Sequence, residues 1–322
     1  MFKQNNLARL GKTKKNVTQV FAVQVIVAFF SLFTNVVIGR FFGKEILGIY
    51  SYFLSLTGFM ILFSLPGVKH SIARLVSEDN NFLVSIRRKS LLVGFGLGAF
   101  VFAVFYTITS LLNLNPGLDL FFLYVGLYLL VNIFCSVNRN LLRGLKRLTI
   151  SSLHALVGRF SILIFVLLAV VLFREPWVVF ASVILGFVVQ VIVQEFSLSK
   201  NVPKHARQIS WAKFRKSLLL FFFVNVSTVG IYAIDRLSIR FVTDFSNLGQ
   251  FEAFSNLINI IRMLAFVLPY VLIPMAVNSK YQINKSFFTI LAFLLPFALT
   301  IGALSVVFVP ELYGPELALP FN

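Results

Sequence analysis

Arg159 and Arg262 each stand inside an apolar run long enough to cross a bilayer, and Asp235, Arg236 and Arg240 occupy the far part of a third. A guanidinium at mid-bilayer costs about 2.5–3.5 kcal/mol on insertion scales, so such groups face a cavity or a partner. Its planar fork grips phosphate oxygens two at a time, which makes a phosphate-bearing anion the matching ligand chemistry. The competing roles are snorkelling to an interface or a hydrogen bond to a neighbouring helix. Arg159 lies roughly 14 Å into its run at 1.5 Å per residue. Glu252 precedes Arg262 by ten residues, too far for a same-turn pair. Adjacent helical residues diverge, so Asp235 and Arg236 form no self-paired dyad, and Asp235 can meet Arg240 or another helix. Arg40 and Arg240 suit anchoring or gating near the ends of their runs. Arg74 suits either capture of an incoming anion or a plain topology-setting charge.

Other chemistries find little support. His70, His154 and His205 are scattered without metal-ligand spacing, and no glycine-rich phosphate loop is present. No cofactor or metal is therefore expected. The single cysteine, Cys135, lies in an apolar run and reads as a small buried residue.

The elements that carry these arginines are membrane spans. The 322 residues are 58% hydrophobic and 12% charged, with 39 Phe, and mean hydropathy is +0.90. A soluble globular chain is about 25% charged, so a soluble enzyme, a disordered chain and a disulfide scaffold are all excluded. A bilayer core needs about 20 apolar residues per helix. That ruler predicts nine helices, near residues 17–41, 46–65, 90–112, 118–138, 150–173, 176–194, 217–241, 248–277 and 287–309. The first run is too long for a signal peptide and reads as a retained helix.

The net charge of +18 would suggest nucleic acid on a soluble face, but the basic residues cluster between spans. With the N-terminus in the cytoplasm, 22 of the 29 Lys and Arg fall on inner segments and five near outer ends. That bias fixes the orientation and removes nucleic acid as a partner. Trp177 and Trp211 fall at span ends, as interfacial tryptophans do. Outer connections such as 42–45 and 174–175 are too short for an extracytoplasmic catalytic loop. Pro269, Pro274 and Pro296 are expected to bend spans eight and nine. Gly94, Gly96 and Gly98 are expected to allow close helix packing.

Two stretches 200 residues apart are alike. Arg40 aligns with Arg240 and Phe41 with Phe241, and after one inserted residue Gly48 aligns with Gly249 and Tyr50 with Phe251. Both lie where the first and second helices of a six-helix unit join, so the repeat is same-sense. Such repeats set two halves about an axis along the membrane normal, with the substrate path between them.

The run Gly39-Arg-Phe-Phe-Gly-Lys-Glu-Ile-Leu-Gly-Ile-Tyr50 resembles the first hairpin of polysaccharide (O-antigen type) lipid-linked oligosaccharide flippases, within the multidrug/oligosaccharidyl-lipid/polysaccharide exporter superfamily. Pro66–Arg74, Leu142–Arg147, Asp235-Arg236 and Leu312–Glu316 fit the same pattern in order. The resemblance implies an all-α polytopic membrane protein with two lobes around a central cavity. It implies a multi-pass protein of a prokaryotic cell membrane that carries a polyprenyl-diphosphate-linked oligosaccharide to the outer leaflet. The expected organisation is a six-helix lobe over 1–200 and a partial second lobe over 201–322, in a chain truncated at its C-terminus. Substrate contacts are expected from Arg159, Arg262, Asp235, Arg236, Arg240, Arg40 and Arg74. A drug or cation antiporter of the same superfamily is the first alternative, but spans one to six hold no deep carboxylate. A membrane-embedded polymerase or glycosyltransferase is the second.

Overall fold

The computed structural model describes residues 2–112, 120–173, 175–201, 203, 207–257, 296, 300 and 308–314. Among these, every regular element is helical. Helix α1 (Phe2–Ser64) is followed by α2 (Val68–Glu78), a 3₁₀ turn (Asn80–Phe82), α3 (Leu83–Leu111), α4 (Phe121–Gly144), α5 (Leu148–Leu172), α6 (Pro176–Ser199) and α7 (Trp211–Val242). A further helix, α8, covers 245–257, and a helical stretch covers 308–313.

Helix α1 contains the first two predicted spans, joined without a loop. The chain reverses at Gly43, whose φ of 84° and ψ of 172° are open to glycine and strained for other residues. The next five predicted spans correspond to α3 to α7, although α3 begins seven residues before position 90 and α4 runs past position 138 to Gly144. The long apolar helices make this a multi-pass membrane protein. Most of predicted spans eight and nine, with Pro269 and Pro274, lies outside the described residues.

The segment after Pro66 is not the simple loop its charges suggested. Gly67, with φ 65°, turns the chain into α2, which buries Val68, Ile72, Leu75 and Val76 along one face. That face packs on α4, where Gly144 meets Val76, and on α7, where the Ser71 hydroxyl donates to the Ser217 carbonyl at 2.8 Å. Helix α5 packs extensively on both α6 and α1. A methyl on Gly186 would lie 2.8 Å from the Ile162 nitrogen, so glycine sets the closeness of the α5–α6 pair. On α3, Gly94 and Gly98 pack against Ile133, whereas Gly96 faces open space. Residues two apart point to nearly opposite sides of a helix, which divides the expected stripe.

Consecutive helices alternate in direction, so their junctions collect at two ends. One, the hairpin end, holds Gly43, the close of α7 and the start of α8. The other, the basic end, holds α2, the close of α4 and α6, and the starts of α3, α5 and α7.

Candidate functional site

At the hairpin end the two copies of the sequence repeat lie directly on each other. A methyl on Gly48 would sit 1.8 Å from the Phe245 carbonyl oxygen, and one on Gly249 would sit 1.8 Å from the Lys44 carbonyl oxygen. Lys44 and Phe245 each precede their glycine by four residues, so the contact is the same read from either side. An approximate two-fold axis therefore passes between the glycines. The backbones meet closely enough for Cα–H to oxygen contacts, which only a residue without a side chain permits.

One turn further along both helices, the same axis brings Ser51 to Glu252, residues that again correspond in the repeat. The Ser51 hydroxyl donates to Glu252 Oε2 at 2.8 Å across a sequence gap of 201 residues. Arg236 on α7 donates through Nε to Glu252 Oε2 at 2.6 Å and through Nη2 to Oε1 at 3.3 Å. The Arg236 and Glu252 side chains are only 14% and 8% exposed. This forked pair within a low-dielectric surround ties α1, α7 and α8 together. Alignment at the offset of Gly48 and Gly249 was the sequence signal for Ser51 and Glu252. A search for partners along a single helix could not find it.

Aromatic rings extend the contact inward. Arg240 lies 4.1 Å over the Phe245 ring and donates to the Thr243 carbonyl at 2.9 Å. It is thus held at its own helix end, and Asp235, five residues earlier on α7, is exposed. Phe245 meets Tyr52 edge-on at 5.7 Å, and Phe53 contacts Phe121, Tyr128 and Phe180 at 5.1–6.1 Å.

Tyr128 next meets Phe187 at 5.1 Å, and the Arg159 guanidinium lies 5.8 Å from the Phe187 ring centre. Arg159 is half-buried, and none of the described ion pairs involves it. It is a cation beside the Phe187 ring, near the middle of α5. Such a group can attract an anion without first displacing a carboxylate.

The remaining expected residues separate from this centre. Arg40 is exposed beside the Gly43 turn. Arg74 is 54% exposed at the basic end and bonds Glu78 at 2.9 Å, while Lys213 of α7 reaches the same carboxylate at 3.1 Å. These bonds hold the Glu78 carboxyl below its ordinary 4.5, the one from Lys213 foremost. Arg262 lies outside the described residues.

A second polar group, missed in sequence, lies within the first six helices. Glu195 accepts from Arg87 and, at 2.8 Å, from Asn138. Cys135, fully buried as expected, takes long bonds from Arg139 and Gln194 at 3.6 and 3.7 Å. His154 bonds Ser197 at 2.9 Å. Among the described residues no group of His, Cys, Asp and Glu is placed to hold a metal ion.

Residues 13–282 match the family model described as polysaccharide biosynthesis protein. The chain belongs to that family. No curated protein sequence shows a significant match. Two solved structures share the fold of this polysaccharide biosynthesis family member. The first is the inward-facing conformation of a multidrug resistance MATE family transporter of the MOP superfamily, at TM-score 0.62 and 14% identity. The match covers 89% of this chain and 72% of that one. The second is MATE in the bent conformation, at TM-score 0.56 and 15% identity over 96% of this chain and 78% of that one. At these identities the likeness establishes the fold alone.

Proposed function

We propose that this protein flips a polyprenyl-diphosphate-linked oligosaccharide from the cytoplasmic to the outer leaflet by alternating access. Family membership supplies the polysaccharide setting. The observation that carries the cargo is Arg159, a half-buried cation inside the helices with an aromatic neighbour and no described carboxylate partner. Diphosphate is a bidentate anion of the right sign and geometry for it. No bond is made or broken in such a step, so the chain works as a transporter and needs no catalytic group.

In this reading the protein is organised as a six-helix lobe over 1–200 and a second unit over 201–322. The N-terminus and basic end face the cytoplasm of a prokaryotic cell, in keeping with the positive-inside bias. The hairpin end then faces outward. Gly48, Gly249, Ser51, Glu252 and Arg236 form the outer closure, which must separate to release cargo. Asp235, Arg240 and Arg40 line the mouth of that closure, Arg262 shares the cargo-contact role of Arg159 on the strength of its sequence position alone, and Arg74 guides the anion at the cytoplasmic entry. With the cell interior negative, outward movement of an anion is worth about 2.3 kcal/mol per charge per 100 mV.

The cation-antiporter alternative is disfavoured because the described acidic residues of α1 to α6 lie at helix ends or in connections, with Glu195 held by Arg87. The test is translocation of a fluorescent lipid-linked diphosphate oligosaccharide in vesicles containing the protein. Arg159→Ala should reduce the rate at least tenfold, while Arg159→Lys retains part of it. Equal rates for wild type and Arg159→Ala, or equal transport of an uncharged lipid-linked sugar, would refute the proposal.

A further inference from the structure

We propose that a cleft between the starts of α3 and α7 at the basic end binds the headgroup of an anionic glycerophospholipid. The cleft has a volume of about 400 Å³, and its lining includes Arg88, Lys89, Arg207, Trp211, Val84 and Leu92. It is independent of Arg159 and of the hairpin end.

Three observations carry the assignment. The first is charge. Three cations line the cleft with no acidic residue among the lining, and neither the Arg88 nor the Arg207 side chain forms a described ion pair. Both residues are exposed, so their guanidinium groups remain available to phosphate oxygens.

The second is construction. The strand of chain before α7 is tied to α3 by three bonds. Arg207 N donates to the Asn81 carbonyl at 2.9 Å, Ile209 N donates to Ser85 Oγ at 3.2 Å, and the Lys89 ammonium donates to the Ile209 carbonyl. Lys89 also lies 4.7 Å over the Trp211 ring. The cations are therefore presented by a built wall rather than by a loose tail.

The third is the apolar rim. Val84, Leu92 and Trp211 are 40%, 61% and 44% exposed on membrane-length helices. An indole at the interface with aliphatic side chains beyond it matches the glycerol-to-acyl step of a lipid. A free phosphate would use the cations and leave that rim without a function. Basic recesses between helices near the membrane surface are suited to anionic headgroups.

The test exploits the two tryptophans of the sequence. With Trp177→Phe, Trp211 is the only indole in the full-length protein. Its quenching is measured in lipid nanodiscs containing a small fraction of brominated phosphatidylglycerol or brominated phosphatidylcholine. The expected result is preferential quenching by phosphatidylglycerol, with relative affinity falling by roughly tenfold in Arg88→Gln/Arg207→Gln. Lys146→Gln/Arg147→Gln removes the same charge at the same end and should keep the preference. Arg88→Lys/Arg207→Lys should also keep it, which separates loss of charge from loss of fold. Equal quenching by the two lipids overturns the proposal, as does a preference that survives Arg88→Gln/Arg207→Gln or disappears in the Lys pair. Displacement of brominated phosphatidylglycerol by soluble glycerol phosphate would reassign the cleft to free phosphate and refute the lipid source.

Discussion

Alanine at Gly48 probes the hairpin-end contact directly. The added methyl would lie 1.8 Å from the Phe245 carbonyl oxygen, and Cβ contacts under 3.0 Å are essentially never seen. The obstructing atom is backbone, so no rotamer change relieves it and the helices must part by more than an ångström. Overpacking of this kind costs typically about 1–3 kcal/mol. In the alternating-access reading proposed above, the contact is broken when the hairpin end opens, so the penalty falls on the closed state alone. About 2 kcal/mol shifts a two-state ratio by roughly 30-fold toward the separated state. A reporter is available one turn beyond the Ser51–Glu252 contact. Ser55 is only 8% exposed, and Ser55→Cys in a Cys135→Ala background can be labelled by an impermeant maleimide. Labelling should be slow with Gly48 and at least tenfold faster with Gly48→Ala. Gly249→Ala should act alike, because its methyl meets Lys44 at the same distance. The double variant should cost less than the two singles together, since the first methyl already opens the gap that the second needs. Unchanged labelling and unchanged thermal stability in Gly48→Ala would refute the reasoning.

Further perturbations address other contacts. Glu252→Gln should lower thermal stability by about 3 kcal/mol, because it leaves Arg236 with a neutral partner in a buried setting, and Glu252→Leu/Arg236→Met should recover part of the loss. Lack of recovery in a melting experiment would show that the two side chains are not energetically coupled. Glu78 is an exposed acid whose folded pKa is depressed, so its contribution is present above its ordinary 4.5 and lost as pH falls through the lower folded value. The acid-side decrease should be no more than about 1 kcal/mol, as for other exposed pairs, and should vanish in Glu78→Gln when melting is followed against pH. Gly67→Ala should destabilise strongly, since its φ is 65° and its methyl would meet the Leu218 carbonyl oxygen at 2.2 Å; a normal melting temperature would contradict that geometry.

The membrane class and the first seven spans were legible because runs of about 20 apolar residues have few alternatives. Gly48 and Gly249 were legible as a pair through the repeat, although their mutual contact was not, because alignment states equivalence and says nothing of proximity. Within its own apolar run, the sequence offers Glu252 only Arg262 as a partner. Its partners are 16 residues back on an antiparallel helix and 201 residues back across the axis, separations that only the fold brings together. Helix α2 could have been read from Val68, Ile72, Leu75 and Val76, whose spacing marks one helical face. Its basic residues, like those of the other inner segments, mark only a connection between spans. Arg74 and Arg159 look alike as residues, yet one is an exposed ion-pair partner and the other a half-buried cation beside an aromatic ring. Depth along a helix separates them, and direction around it completes the distinction.

The reversal at Gly43 bears on how the chain is made. Its two limbs share one residue of non-helical backbone, so no intervening loop lets one limb shift independently of the other. In the orientation proposed above, Arg40 and Lys44, which flank the turn, are the charges that cross the hydrocarbon when this hairpin inserts. A residue with a side chain at position 43 would strain the turn on which the pairing of the two limbs depends.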